Sequence, residues 1–215
     1  MTLERAYILL AVFYSALVAI GAIALLGGGG PVWAVAILLL GALVAAGLWG
    51  HTLGRPVMNP RMWRPLAGIL AVGCLLQLFA VFTFSLSGAE ITWLLTGAIF
   101  SVLPAILLFQ YGERDQEVWA TPEEREGGKM LDELLARQRE LVLEKQETDR
   151  QATVKLTKEG DTYRASVTRG RGAHVERFEE KFTCPATLTF FVIKYTCISV
   201  NDIAAQYAEE RVLTT

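Results

Sequence analysis

Four runs of about 20 apolar or small residues, strung together before residue 112 and almost free of charge, limit what this chain can fold into more than any other feature. Among 20 Lys/Arg and 22 Asp/Glu in 215 residues, only Glu4, Arg5, Arg55, Arg61, Arg64 and Glu90 precede Tyr111. A soluble domain needs polar faces toward water, and so sparse a set of charges supplies none. The chain therefore reads as a membrane all-α four-helix transmembrane bundle over residues 1–111, an acidic helical connector over 112–150, and a small cytoplasmic α+β domain over 151–215.

The spans are predicted at about 7–26, 32–50, 66–86 and 91–111. Each is close to the length a helix rising ~1.5 Å per residue needs to cross ~30 Å of hydrocarbon. Ala22-Ile23-Ala24 resembles a signal-peptidase site, but the run before it is read as a retained first span. Gly27 to Gly30 with Pro31 predicts a tight turn, and Ser87 to Glu90 is short enough to force an antiparallel hairpin. Trp33, Trp49, Trp63, Trp93 and Trp119 flank the runs, at the interfacial depth an indole favours. Between the hairpins, His51 to Pro65 carries Arg55, Arg61 and Arg64, whereas the other turns carry no charge or only Glu90. The positive-inside bias then puts this loop and both termini in the cytoplasm, as expected of a bacterial inner-membrane protein.

Within the spans the small and polar residues are the informative ones. Ala11, Ser15 and Ala19, and likewise Ala42, Ala46 and Gly50, form small-residue stripes predicted to pack helix on helix. Thr92, Thr96, Ser101 and Gln110 are the candidates to line a polar path, with hydrogen bonding back to their own helix as the competing reading. No Asp, Glu, Lys or Arg lies near the middle of a span, which disfavours ion-coupled transport. Pro104 should bend the fourth span.

After the membrane, Thr121-Pro122-Glu123-Glu124 has the form of a helix start. Gly127-Gly128 predicts a flexible joint, followed by a helix from Lys129 to about Thr148. Its apolar stripe of Leu131, Leu134, Leu135, Leu141 and Val142 is expected to dock on the domain that follows. From Gly112 to Arg150 there are 12 acids against 7 bases. That excess predicts docking against Arg55, Arg61 and Arg64. Residues 153–157 and 162–168 read as a β-hairpin, Arg169 to Gly172 as a turn, and 173–182 as a third strand. The Thr-, aromatic- and β-branched-rich stretch 186–200 is read as a strand in preference to a helix. Ser199-Val200-Asn201-Asp202 is a capping box for a last helix reaching about Leu213.

The two histidines and three cysteines have no metal-ligand spacing, and no phosphate loop, dinucleotide fingerprint or nucleophile elbow occurs. No catalytic residue, cofactor or metal is predicted, and a net charge of −2 gives no reason to expect nucleic acid. The expectation is a non-enzymatic accessory, scaffolding or regulatory membrane protein, with the lipid bilayer and a protein partner or further copies of itself around it. The alternative is a homo-oligomeric channel for ions or small solutes.

Overall fold

The computed structural model describes residues 3–138, 140–147, 150–171 and 174–213. The chain divides into two compact units, Met1–Arg114 and Asp115–Thr215.

The first unit is built from α1 (Leu3–Gly28), α2 (Val32–Leu53), α3 (Pro60–Thr83) and α4 (Gly88–Tyr111). All four are long and apolar enough to cross a membrane. Only 6% to 22% of each apolar stretch is buried, so the hydrophobic surface faces outward, as a bilayer requires. Local caps start α3 and α4 earlier and end α2 later than the apolar runs alone suggested, whereas α3 stops at Thr83, short of the predicted 66–86 span. His51 to Leu53 finish α2, which ends on Gly54 at φ 58°, with the Arg55 N–H returning to the Gly50 carbonyl. Asn59 accepts from the Arg61 N–H and Pro60 opens α3. The predicted 51–65 loop is thus reduced to Gly54 through Asn59. Ser87 and Glu90 cap α4 reciprocally.

α1 packs on α2, α3 on α4, and α2 on α4. Within the chain, the small-residue stripes are unequally covered: Ala11 and Gly50 are buried, Ser15 and Ala46 half-buried, and Ala19 and Ala42 exposed. A spacing of four residues drifts by about 40° per step around a 3.6-residue helix, so three such residues do not hold one narrow contact line. Close approach uses other glycines. A Cβ on Gly21 would lie 3.1 Å from Leu38, and one on Gly41 3.3 Å from Val18. α1 is also tied by hydrogen bonds: Trp49 donates to the Ser15 hydroxyl at 2.9 Å, and Tyr14 donates to the Phe100 carbonyl. That carbonyl lacks its intrahelical donor because residue 104 is proline.

The second unit begins with a 3₁₀ turn, Glu117–Trp119, and α5 (Pro122–Arg137). An antiparallel sheet in sequential order follows: β1 (Glu140–Glu147), β2 (Arg150–Glu159), β3 (Thr162–Arg171) and β4 (His174–Phe182). α6 (Pro185–Tyr195) and α7 (Val200–Leu213) complete it, meeting at 117°. The core joins Leu131, Leu134 and Leu135 of α5 to Leu141, Val154, Leu156, Ala165 and Val167 of the sheet and to Leu188, Val192 and Ile203. Gly160, at φ 64°, and Asp161 form the two-residue turn between β2 and β3.

Three sequence readings are overturned in this unit. First, α5 runs without a break through Gly127-Gly128 and stops at Arg137, so the predicted 129–148 helix is replaced by its C-terminal half as β1. The glycines are there for contact: an added Cβ would come within 2.6 Å of Thr189 Cγ2 at Gly127 and 2.7 Å of the Ala186 nitrogen at Gly128. Leu141 and Leu143 are 1% and 3% exposed but Val142 is 43% exposed, a period of two. Leu131, Leu134, Leu135 and Leu141 do share one core, while Val142 lies on the far side of the sheet. Second, 186–200 is not a strand. Pro185 starts α6, and Leu188, Phe191 and Val192 at helical spacing turn inward against α5 and the sheet, so packing overrides the β-propensity of the Thr and aromatic residues. Third, Arg169 to Arg171 continue β3 and pair with Glu176 to His174. Gly172, the last residue of the predicted turn, lies outside the described residues.

Candidate functional site

The most elaborately built feature of the first unit is the short Gly54–Asn59 loop carrying Arg55. Tyr111, at the last turn of α4 and fully buried, donates its hydroxyl to the Arg55 carbonyl at 2.6 Å and accepts from the Val57 N–H at 2.9 Å. Trp63, 1% exposed, donates its indole N–H to the Val57 carbonyl at 3.0 Å. The loop backbone is therefore satisfied at both polar groups of Val57. His51 stands edge-on to Tyr111 and to Tyr7, with ring centroids 6.0 and 5.6 Å apart. Gly50 and Gly47 make room: a side chain at Gly50 would strike the Tyr111 ring, and one at Gly47 would strike Trp63 and Leu108. Met58, beside Val57, sits at φ 58°, a left-handed conformation rare for a residue with a Cβ.

This clamp presents the three arginines differently. Arg64 pairs with Glu113 and lies over the Phe109 ring, 5.1 Å from its centroid. Both partners are more than 40% exposed, so the pair is worth at most ~1 kcal/mol. Among the described residues, Arg55 and Arg61 have no ion-pair partner. Below Arg61 a crevice of about 380 Å³ runs between α2 and α3, lined by Leu40, Leu43, Met58, Trp63, Leu66 and Ile69.

The four polar candidates of the fourth span do not share a side. Thr92, Thr96 and Gln110 fall within about 40° of one another on the helix, whereas Ser101 is about 180° from Thr92. Thr92 donates back to the Gly88 carbonyl and Ser101 to the Gly97 carbonyl, each at 2.8 Å. Thr96 is half-buried and Gln110 exposed.

In the second unit the ionisable groups serve mainly as joints. Asp132 of α5 accepts from Lys158 and Tyr163, each at 2.5 Å. The Lys158 bond, then the Tyr163 bond, hold the Asp132 carboxyl below the usual range, while Asp132 raises Lys158 in turn. Burial, more than the carboxylate, pushes Tyr163 up. Asp202 accepts from Lys145 at 2.7 Å and from Ser199, which lowers it to about 2. Asp115 receives Thr183 Oγ1 at 2.7 Å and the Cys184 N–H at 3.0 Å, fixing the approach to α6.

A cavity of about 380 Å³ opens where one end of the sheet meets the end of α6, with Arg169, His174, Glu176, Lys194, Tyr195 and Cys197 on its wall. Arg169 is held by Glu176 and by the Tyr195 carbonyl, so its charge is answered within the protein. All three cysteines are free, and no group of three metal-ligating side chains occurs among the described residues.

Sequence reasoning placed the arginines but missed the aromatics that set them. Trp63 was read as an interfacial ring and is instead buried, because its N–H finds a loop carbonyl. Tyr111 was read only as the end of a span. The signal for Tyr14 was present, since Pro104 marks Phe100 as a carbonyl in need of an outside donor; the donor's identity was not. No protein-family model, curated protein or solved structure matches this chain.

Proposed function

We propose that the chain is an integral membrane accessory, scaffolding or regulatory protein whose second unit docks a protein partner. The observation that carries this reading is the one-sided sheet. α5, α6 and α7 cover the face bearing Leu141, Val154, Leu156, Ala165 and Val167. The opposite face bears Thr153, Lys155, Arg164, Ser166, Thr168 and Arg177, none of them buried. Mixed hydrogen-bonding and charged side chains on a regular antiparallel scaffold suit a reversible protein contact. The basic loop supports an orientation with both termini cytoplasmic, which would put this face in the cytoplasm.

Photo-crosslinking from position 168 in the native membrane tests the reading. A discrete adduct with another protein, lost when Arg164 and Arg177 are reversed to Glu, is expected. Recovery of a homogeneous homo-oligomer with no other protein would overturn it. The channel reading has less behind it, since Thr92 and Ser101 spend their hydroxyl protons on their own helix; ion flux from proteoliposomes would revive it. Cysteine-accessibility labelling at positions 30, 55 and 88 checks the orientation.

A further inference from the structure

We propose that the crevice between α2 and α3 is a binding site for one anionic phospholipid, with its phosphate on Arg61 and an acyl chain along Leu43, Leu66 and Ile69. Three observations converge on that chemistry. The floor is apolar: Leu40, Leu43, Leu66 and Ile69 contribute hydrocarbon, and Arg61 is the only charged residue among the described residues of the lining. Its guanidinium has no ion-pair partner among the described residues, although Arg64, three positions on, has one. From Arg61 to Ile69 the helix rises by roughly 12 Å, close to the ~15 Å depth of one hydrocarbon leaflet. A cation at the mouth and a hydrocarbon channel of leaflet depth behind it match an amphiphilic anion.

The site is also held ready. Met58 and Trp63 form its upper wall, and the loop clamp holds Trp63 through its bond to the Val57 carbonyl. Arg55, on the same loop and without an ion-pair partner among the described residues, adds positive potential at this end of the helices, and the acid at this end, Glu113, is already held by Arg64. A soluble phosphate would gain nothing from the apolar floor, and a zwitterionic lipid carries its own cation beside the phosphate, which competes with Arg61 for that phosphate and is repelled by it. This inference does not depend on the docking role of the second unit.

The test is native mass spectrometry of the full chain released from nanodiscs of equimolar phosphatidylglycerol and phosphatidylcholine. Wild type is expected to retain a single phosphatidylglycerol in preference to phosphatidylcholine. Arg61→Gln should cut that preference about fivefold, the factor one basic residue near an anionic surface supplies, and Arg61→Lys should keep most of it. Ile69→Trp, which fills the crevice at an exposed position and leaves every charge in place, should abolish retention. Equal retention of the two lipids by wild type would overturn the proposal. So would loss in Arg61→Gln without loss in Ile69→Trp, which would mean diffuse surface attraction, and so would displacement of the lipid by millimolar inorganic phosphate.

Discussion

Replacing Tyr14 with Phe removes one hydroxyl from the middle of α1 and leaves the ring, its volume and its contacts in place. The hydroxyl donates to the Phe100 carbonyl, whose usual donor would be the N–H of residue 104, and residue 104 is proline. In hydrocarbon there is no water to take over. Interhelical hydrogen bonds in membranes are worth ~0.6 kcal/mol on average and reach ~1.7 kcal/mol. The upper end, about 1.5 kcal/mol, is expected here because the acceptor has no donor of its own. The Pro104→Ala change supplies the control. It returns an N–H to residue 104, lets α4 satisfy Phe100 internally, and should shrink the cost of Tyr14→Phe to ~0.5 kcal/mol. The coupling between the two sites is therefore about 1 kcal/mol. Equilibrium unfolding in mixed micelles of increasing dodecyl sulfate content, followed by the fluorescence of Trp33, Trp49, Trp63 and Trp93, measures all four corners of the cycle. If the two single changes add to within ~0.3 kcal/mol, the carbonyl freed by Pro104 is not what Tyr14 serves.

Gly128→Ala pits two effects against each other: alanine gains ~1 kcal/mol of helix propensity, but its Cβ would meet the backbone nitrogen of Ala186 at 2.7 Å. Backbone cannot rotate away and overpacking costs ~1–3 kcal/mol, so a net loss of about 1 kcal/mol is expected in thermal unfolding of the full chain. Tyr111→Phe strips two hydrogen bonds from the Gly54–Asn59 loop; hydrogen exchange at the Val57 N–H should accelerate by about tenfold, the equivalent of ~1.4 kcal/mol, with little change in α3. Asp202, lowered to about 2 by Lys145 and Ser199, contributes stability that is present above the ordinary carboxylate range near 4 and disappears as pH falls from ~4 through ~2. Its side chain is 38% exposed, so the effect stays below ~1 kcal/mol; Asp202→Asn should be less stable than wild type at pH 7, by a margin that has shrunk markedly at pH 2, where about half of the carboxyls are protonated, read from the protection of α7 amides.

The helical half was legible because bilayer chemistry leaves few alternatives. A charge-free run of this length must satisfy its backbone internally, and four such runs become four helices. Both short helix starts after the membrane, at Thr121 and Ser199, were legible for a local reason: the cap and the residue three positions on are all the motif requires. The hairpin of β2 and β3 follows from alternation on either side of Gly160-Asp161.

What failed were the segments whose fate depends on a distant neighbour. Leu141 continues the stripe of Leu131, Leu134 and Leu135 at helical spacing, yet it faces the same core from a strand, since β2 offers β1 a ladder that the sequence of β1 does not announce. Gly127-Gly128 is a joint in isolation and a contact face once α6 lies across it. Residues 186–195 carry β-forming side chains but find a groove against α5 that only a helix fills.

The same division holds at the candidate sites. Sequence alone determined that Arg55, Arg61 and Arg64 stand between two membrane hairpins, because charge cannot enter hydrocarbon unaided. Only the tertiary structure decided their separate roles. Glu113 takes Arg64, Tyr111 and Trp63 fix the loop beneath Arg55, and Arg61 is left at the mouth of an apolar crevice. Glu113 and Tyr111 lie at the end of α4 and Trp63 in the first turn of α3, and no local pattern encodes which ones meet.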